Sequence, residues 1–156
     1  MRCLERLQRY LNTEGVAFRA TVHRTAYTAQ QVAQVEHLPG KVVAKVVVAT
    51  GEKGPCLLVL PATHRIDLER AAAALGAVSL RLATEAEFAP LFPDCEAGAM
   101  PPFGNLYGLP VYVDESLTSD PEITFPAGTH QLSLTVAFAD FARLAQPAPV
   151  SFAVHV

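Results

Sequence analysis

The chain has 156 residues, of which 51% are apolar and 17% charged, enough for one compact domain with a full core and too apolar for a disordered or fibrous chain. Its 12 Lys and Arg stand against 15 Asp and Glu, a net charge of −3, the reverse of the balance that duplex DNA binders use to release counterions. No apolar run approaches the ~20 residues of a membrane span, and three widely spaced cysteines (Cys3, Cys56, Cys95) without a C-x-x-C give neither a disulfide framework nor a cysteine zinc site.

The segment Met1-Arg2-Cys3-Leu4-Glu5-Arg6 lacks the apolar core of a signal peptide, so a cytoplasmic protein is expected. Leu4, Leu7 and Leu11 instead lie at helical spacing, with Arg2, Arg6 and Arg9 turned away and Gly15 as a stop. Phe18, Ala20 and Val22 alternate with polar residues and predict a short strand ending at His23. Thr28-x-x-Gln31 has the form of a capping box for a helix that must stop by Leu38, before Pro39-Gly40. The β-branched run 41–50, the turn 51–55 and the apolar run 56–60 predict a hairpin. Leu68, Ala71, Ala72 and Leu75 predict a helix, Val78, Leu80 and Leu82 a strand, and Thr84-x-x-Glu87 a second capping box.

Residues 90–108 hold four of the 12 prolines and three of the 9 glycines, a long stiffened loop of the kind that is usually functional. Strands over 111–113, 122–125 and 132–136, a helix over 140–145 and a tail that forms an edge strand or lies along the surface complete the chain. Strands grouped in hairpins with helices interspersed point to an α+β fold: a single domain, 1–156, with a mixed, partly barrel-like sheet surrounded by helices.

No nucleophile elbow, phosphate loop or zinc-protease motif occurs, and Gly51-Glu52-Lys53-Gly54 lacks the Ser/Thr and helix that a phosphate loop needs. The five histidines have no metal-ligand spacing, so no metal and no cofactor are expected. Two constellations carry chemistry. Lys45 falls among the valines and alanines of the 41–50 strand, where it is either a snorkelling side chain at a sheet edge or a semi-buried cation held for an anionic ligand. Gly98-Ala99-Met100-Pro101-Pro102-Phe103-Gly104 is free at its ends and rigid in the middle, which suits either a stiff connector or a backbone aimed at a ligand.

Together these residues resemble the YbaK-like aminoacyl-tRNA deacylases, relatives of the editing domain inserted in bacterial prolyl-tRNA synthetases. Gly98, Pro102 and Gly104 fit that family's G-x-x-x-P-x-G loop, Lys45 fits its strand-borne lysine, and the stretches 23–28 and Ala127-Gly128-Thr129-His130 follow in matching order. Pro126 departs from the small polar residue that many relatives carry before Ala-Gly, removing a side-chain hydrogen bond there.

The resemblance implies hydrolysis, in trans, of the ester between a small, wrongly attached amino acid and the terminal ribose of a tRNA. It puts Lys45, Gly98 and Gly104 in the chemistry. Lys45 would hold the terminal phosphate or the developing oxyanion, and the loop backbone would orient ester and water. Tyr27, Thr28, Ala99, Met100, Pro101, Pro102, Phe103, Gly128 and His130 would bind substrate, with His130 a weaker candidate for general base. The expected partners are the aminoacylated acceptor end of tRNA and, as a second, an aminoacyl-tRNA synthetase. The alternative is a non-catalytic module that uses the same fold to bind tRNA or another partner.

Overall fold

The computed structural model describes residues 2–156. Helix α1 (Cys3–Thr13) buries Cys3, Leu7 and Leu11 along one stripe and leaves Leu4 partly covered. Strand β1 (Phe18–Val22) leads to helix α2 (Ala29–Glu36). Thr28 Oγ1 accepts the Gln31 amide at 3.1 Å, while Gln31 Oε1 accepts the amide of Tyr27 at 2.7 Å, one residue earlier than a capping box requires. This shifted pair fixes the chain direction at Tyr27 and Thr28. The helix ends on His37 in the left-handed region at φ 56°.

A 3-10 turn, Gly40–Val42, occupies the start of the expected 41–50 strand, because the Val42 and Val43 amides are taken by the Pro39 and Gly40 carbonyls. Strand β2 therefore runs over Ala44–Gly51 and pairs antiparallel with β3 (Cys56–Pro61), as the hairpin predicts. Strand β4 (His64–Ile66), which carried no sequence signal, precedes helix α3 (Leu68–Leu75), capped by Asp67. Strand β5 (Leu80–Leu82) and helix α4 (Glu85–Phe88) follow, the latter with the complete Thr84/Glu87 capping box. Then come β6 (Val111–Asp114), β7 (Glu122–Pro126), β8 (Leu132–Ala137) and helix α5 (Phe138–Ala145), which starts two residues before the sequence expectation. The tail makes two strands, β9 (Ala148–Val150) and β10 (Ala153–His155).

The strands form sheets ordered β5-β2-β3-β6-β9, β1-β8-β7 and β10-β4. The larger two meet at one parallel bridge, Val43 with Thr124, and the sheet does not close into a barrel. The arrangement is α+β. Strand β3 is buried along its whole length, since Leu57 and Val59 face the main core while Cys56, Leu58 and Leu60 face a second cluster with Ala71 and Phe152. Among the described residues no helix is long and apolar enough to cross a membrane.

Candidate active site

A cavity of about 320 Å³ opens at the seam where β2 parts from β7 beyond the single bridge. Val43, Ala44, Lys45 and Val46 form one wall, Phe125, Pro126 and Leu132 another, and His23 together with residues 26–30 and Val32 a third. Gly98, Thr129 and His130 close the rim, and no Asp or Glu lines it.

Lys45 enters from the paired register of β2, directly opposite Leu60. Its Nζ donates to the carbonyl oxygen of His64 at 2.9 Å, and among the described residues no carboxylate forms an ion pair with it. Burial lowers its pKa from the ordinary lysine value. A lysine without a counter-ion on the wall of a cavity without acids is chemically suited to meet an anion there.

Three loops are sewn together at the rim. The Glu96 amide donates to Gly128 O at 2.7 Å, the Gly128 amide to Ala99 O at 2.9 Å, and the Ala26 amide to His130 O at 3.0 Å. The His130 ring is held from below: its Nε2 lies 3.0 Å from Ala97 O, and since a carbonyl only accepts, Nε2 carries the hydrogen and Nδ1 keeps its lone pair in the neutral ring. Glu96 Oε1 accepts the His130 amide at 3.3 Å, and the Tyr27 ring packs 4.9 Å from the imidazole. Gly98 adopts φ +87°, a region closed to most side chains, and a Cβ there would point at His130 Cε1, 3.6 Å away.

The structure brings together Lys45, Gly98, Tyr27, Thr28 and His130. It places the remaining expected residues elsewhere. Met100 and Phe103 are buried in the main core, where Phe103 meets Phe125 and Phe141 edge-on at 5.5 and 5.6 Å. Ala99, Pro101 and Pro102 lie outside the cavity lining, as does Gly128, whose absent Cβ would collide with Cys3 Cβ at 2.4 Å. Gly104 is packed under the loop, with a Cβ position only 2.4 Å from Leu109 O and 2.6 Å from Val111 Cγ2. These glycines serve close packing that supports the rim.

His23, Thr129 and Glu96 were not singled out as site residues by sequence. His23 lines the cavity with its Nδ1 donating to Arg24 O at 2.7 Å and its Nε2 3.6 Å from Glu36 Oε2, which also accepts from Ser133 Oγ. The signal was faint: His23 ends a predicted strand, and Glu96 stands two residues before Gly98. Among the described residues no three His, Cys, Asp or Glu side chains gather as a metal site.

Residues 23–144 match the family model described as the aminoacyl-tRNA editing domain. The chain is 31% identical over 153 residues to the multifunctional Ser/Thr-tRNA deacylase ProXp-y of Escherichia coli (strain K12), covering 95% of this chain and 91% of that protein. A crystal structure described as a candidate trans-editing enzyme for prolyl-tRNA synthetase superposes with TM-score 0.83 at 28% identity over 97% of both chains. A hypothetical protein of known structure, 16% identical with TM-score 0.85, shares the fold over 95% of this chain and 99% of its own.

Proposed function

Because the chain belongs to the aminoacyl-tRNA editing domain family, we propose that its cavity hydrolyses, in trans, the ester joining a small, wrongly attached amino acid to the terminal ribose of a tRNA. The protein is an aminoacyl-tRNA deacylase. The observation that carries the assignment to this cavity is Lys45, an unpaired ammonium in a cavity free of acids.

An activated ester needs a positioned water and a stabilised oxyanion more than it needs a covalent nucleophile. In the proposed reaction water attacks the ester carbonyl, and the negative charge that develops on its oxygen is met by Lys45 Nζ and by the loop backbone. Among the described residues the Gly98 amide has only the Met100 sulfur as acceptor, at 3.2 Å. A thioether is a weak acceptor, so this N–H is easily given up to an oxyanion. The free 2′- or 3′-hydroxyl of the ribose helps orient the water, and the ester oxygen leaves with the proton that the water gives up. Lys45 serves equally to hold the terminal phosphate if the ester lies deeper.

The volume of about 320 Å³ is at the small end of ligand cavities and suits the aminoacyl end of a nucleic acid. Thr28, Thr129 and the Nδ1 of His130 offer hydrogen bonds amid alanines and valines. That lining favours small, hydroxyl-bearing side chains, in keeping with the Ser/Thr activity in the name of the Escherichia coli relative. A site built to pair a hydroxyl discriminates far better than one that only senses a methylene.

The test is a panel of correctly and incorrectly charged tRNAs, seryl and threonyl esters among them, with Lys45→Ala as control. Release of serine or threonine by the native chain and not by the variant is the expected result. Release of none above background would leave a tRNA-binding module. Association with a synthetase is tested by co-elution of the chain with the synthetase that charges the edited tRNA.

A further inference from the structure

Across the rim, and sharing Thr129 and Leu132 with the cavity, lies a second opening of about 400 Å³ lined also by Cys3, Asp94, Cys95 and Gly128. Two thiols meet there from distant parts of the chain. Cys3 comes from the first turn of α1 and Cys95 from the long loop, and both lie against one phenol: the Tyr107 hydroxyl is 3.5 Å from Cys95 Sγ and 3.8 Å from Cys3 Sγ. The same hydroxyl donates to Asp94 Oδ1 at 2.9 Å, and the Arg6 guanidinium sits over the Tyr107 ring at 4.6 Å. The Cys95 thiol donates to Asp94 Oδ1 at 3.5 Å, and Cys3 Sγ accepts from the phenol, so the two thiols share one small polar cluster.

We propose that Cys3 and Cys95 are an oxidisable pair, closed to a disulfide by peroxide, and that closing it slows the deacylase by displacing the loops that hold His130. The reaction balances in two steps. The Cys3 thiolate attacks one peroxide oxygen, the O–O bond breaks, and the departing hydroxide takes a proton to leave as water, with Cys3 as a sulfenic acid. Cys95 then attacks the Cys3 sulfur as its own proton passes to the leaving hydroxyl, so that the S–S bond forms, the S–O bond breaks and a second water departs. Two thiols are oxidised and one peroxide is reduced to two waters.

The cluster assigns the order of attack. Cys3 Sγ accepts from the Tyr107 hydroxyl while Cys95 Sγ donates to Asp94, and the Cys3 thiol lies below its ordinary value because Cys95, Tyr107 and Arg6 favour its thiolate against the opposition of burial and of the Asp94 charge. Cys3 and burial push Cys95 up. Cys3 is 2% exposed and Cys95 half-buried, so peroxide must enter by the opening that both line; a lowered thiol beside a resolving thiol is otherwise the arrangement of redox sensors, and disulfides in reducing compartments are mostly of this transient kind.

Coupling to the site runs through contacts already described. Cys3 packs where a Cβ on Gly128 would stand, and Cys95 immediately precedes Glu96 and Ala97, which bond the His130 amide and ring. A disulfide draws its sulfurs to ~2.05 Å, closer than any hydrogen bond, and must move one of these segments. A displacement of ~1 Å at a catalytic site can cost about a hundredfold in rate.

This inference rests on the deacylase reading for its activity readout alone, since the bond itself is read by mass. The reduced native chain is treated with hydrogen peroxide, digested and mapped, and deacylation is followed before and after dithiothreitol. The expected result is a Cys3–Cys95 linked peptide, at least a tenfold loss of rate, and recovery on reduction, with Cys95→Ser forming no link and keeping its rate in peroxide. The absence of a linked peptide overturns the pair, and a linked peptide with an unchanged rate overturns the coupling. Equal loss of rate in Cys95→Ser overturns the coupling as well. A reduced chain without deacylase activity counts against the functional reading and leaves the linked peptide to be judged by mass.

Discussion

Lys45 is placed where an apolar side chain would cost less, and that cost fixes two expectations. Lys45→Met removes the ammonium and keeps much of the stem's packing, so deacylation should fall by about 10²–10³-fold, the loss seen on removing one oxyanion partner, while thermal melting shows no fall in Tm. A variant that melts normally and turns over at the native rate would end the assignment. The pH dependence has a definite sign. Burial lowers the folded pKa of Lys45 from 10.5, so activity that needs the ammonium declines as pH rises through that lowered value. The unfolded chain still holds its proton there, so between the two values the unfolded state binds more protons and stability from this position rises with pH. Lys45 was visible as an anomaly because it breaks the apolar run of its strand, but that pattern left it open between a snorkelling side chain and a held cation, and the family resemblance alone gave it a role. His23 was not visible, because its setting is made by Glu36 and Ser133, contacts that no local pattern encodes.

At the scale of the element, the 98–104 loop divides into a rim and a plug. Gly98→Ala should slow turnover, because φ +87° strains any side chain and the new methyl points at His130. Its thermal cost should be about 1–3 kcal/mol. Gly104→Ala meets Leu109 O and Val111 Cγ2 inside van der Waals contact and should chiefly lower Tm, with kcat/KM unchanged per folded molecule. Circular-dichroism melts and initial rates on the two variants separate these roles, and equal rate losses per folded molecule would reunite them. The motif was legible as a unit, but its division was not, since Phe103 is buried by Phe125 of β7 and Phe141 of α5 and Gly104 by Leu109 and Val111.

The tail poses a similar case. Burial pushes Asp114 up, yet the Ser116 hydroxyl and the amides of Phe152, Ala153 and Ser116 outweigh it and leave the carboxylate below its ordinary 3.8. Asp114 Oδ1 accepts both tail amides at 2.9 Å. Asp114→Ala should cost about 3 kcal/mol by stranding these donors. The native advantage is complete above pH 3.8 and fades as pH falls through the lower folded value. Urea titrations at neutral and acid pH check this, and a difference between native and variant that stays constant with pH would refute it. Sequence left the tail between edge strand and surface lie because its partners, β6 and β4, are far away in the chain.

On the scale of the whole molecule, the net charge of −3 and the acid-free cavity lead to a statement about salt. A chain that grips only the aminoacylated end of a tRNA neutralises one or two phosphates, and for single strands the slope of log affinity against log salt is about −0.7 per phosphate. Raising salt from 50 to 200 mM should then reduce kcat/KM by about threefold to sevenfold. A protein engaging six to ten phosphates of a duplex loses about 10³–10⁵ over the same interval. Initial rates on one mischarged tRNA across that range decide the matter. A steep slope would mean that the acceptor stem docks along a basic surface elsewhere on the fold. A shallow one places the recognition at the cavity, where Lys45 is the one lysine or arginine among the lining residues.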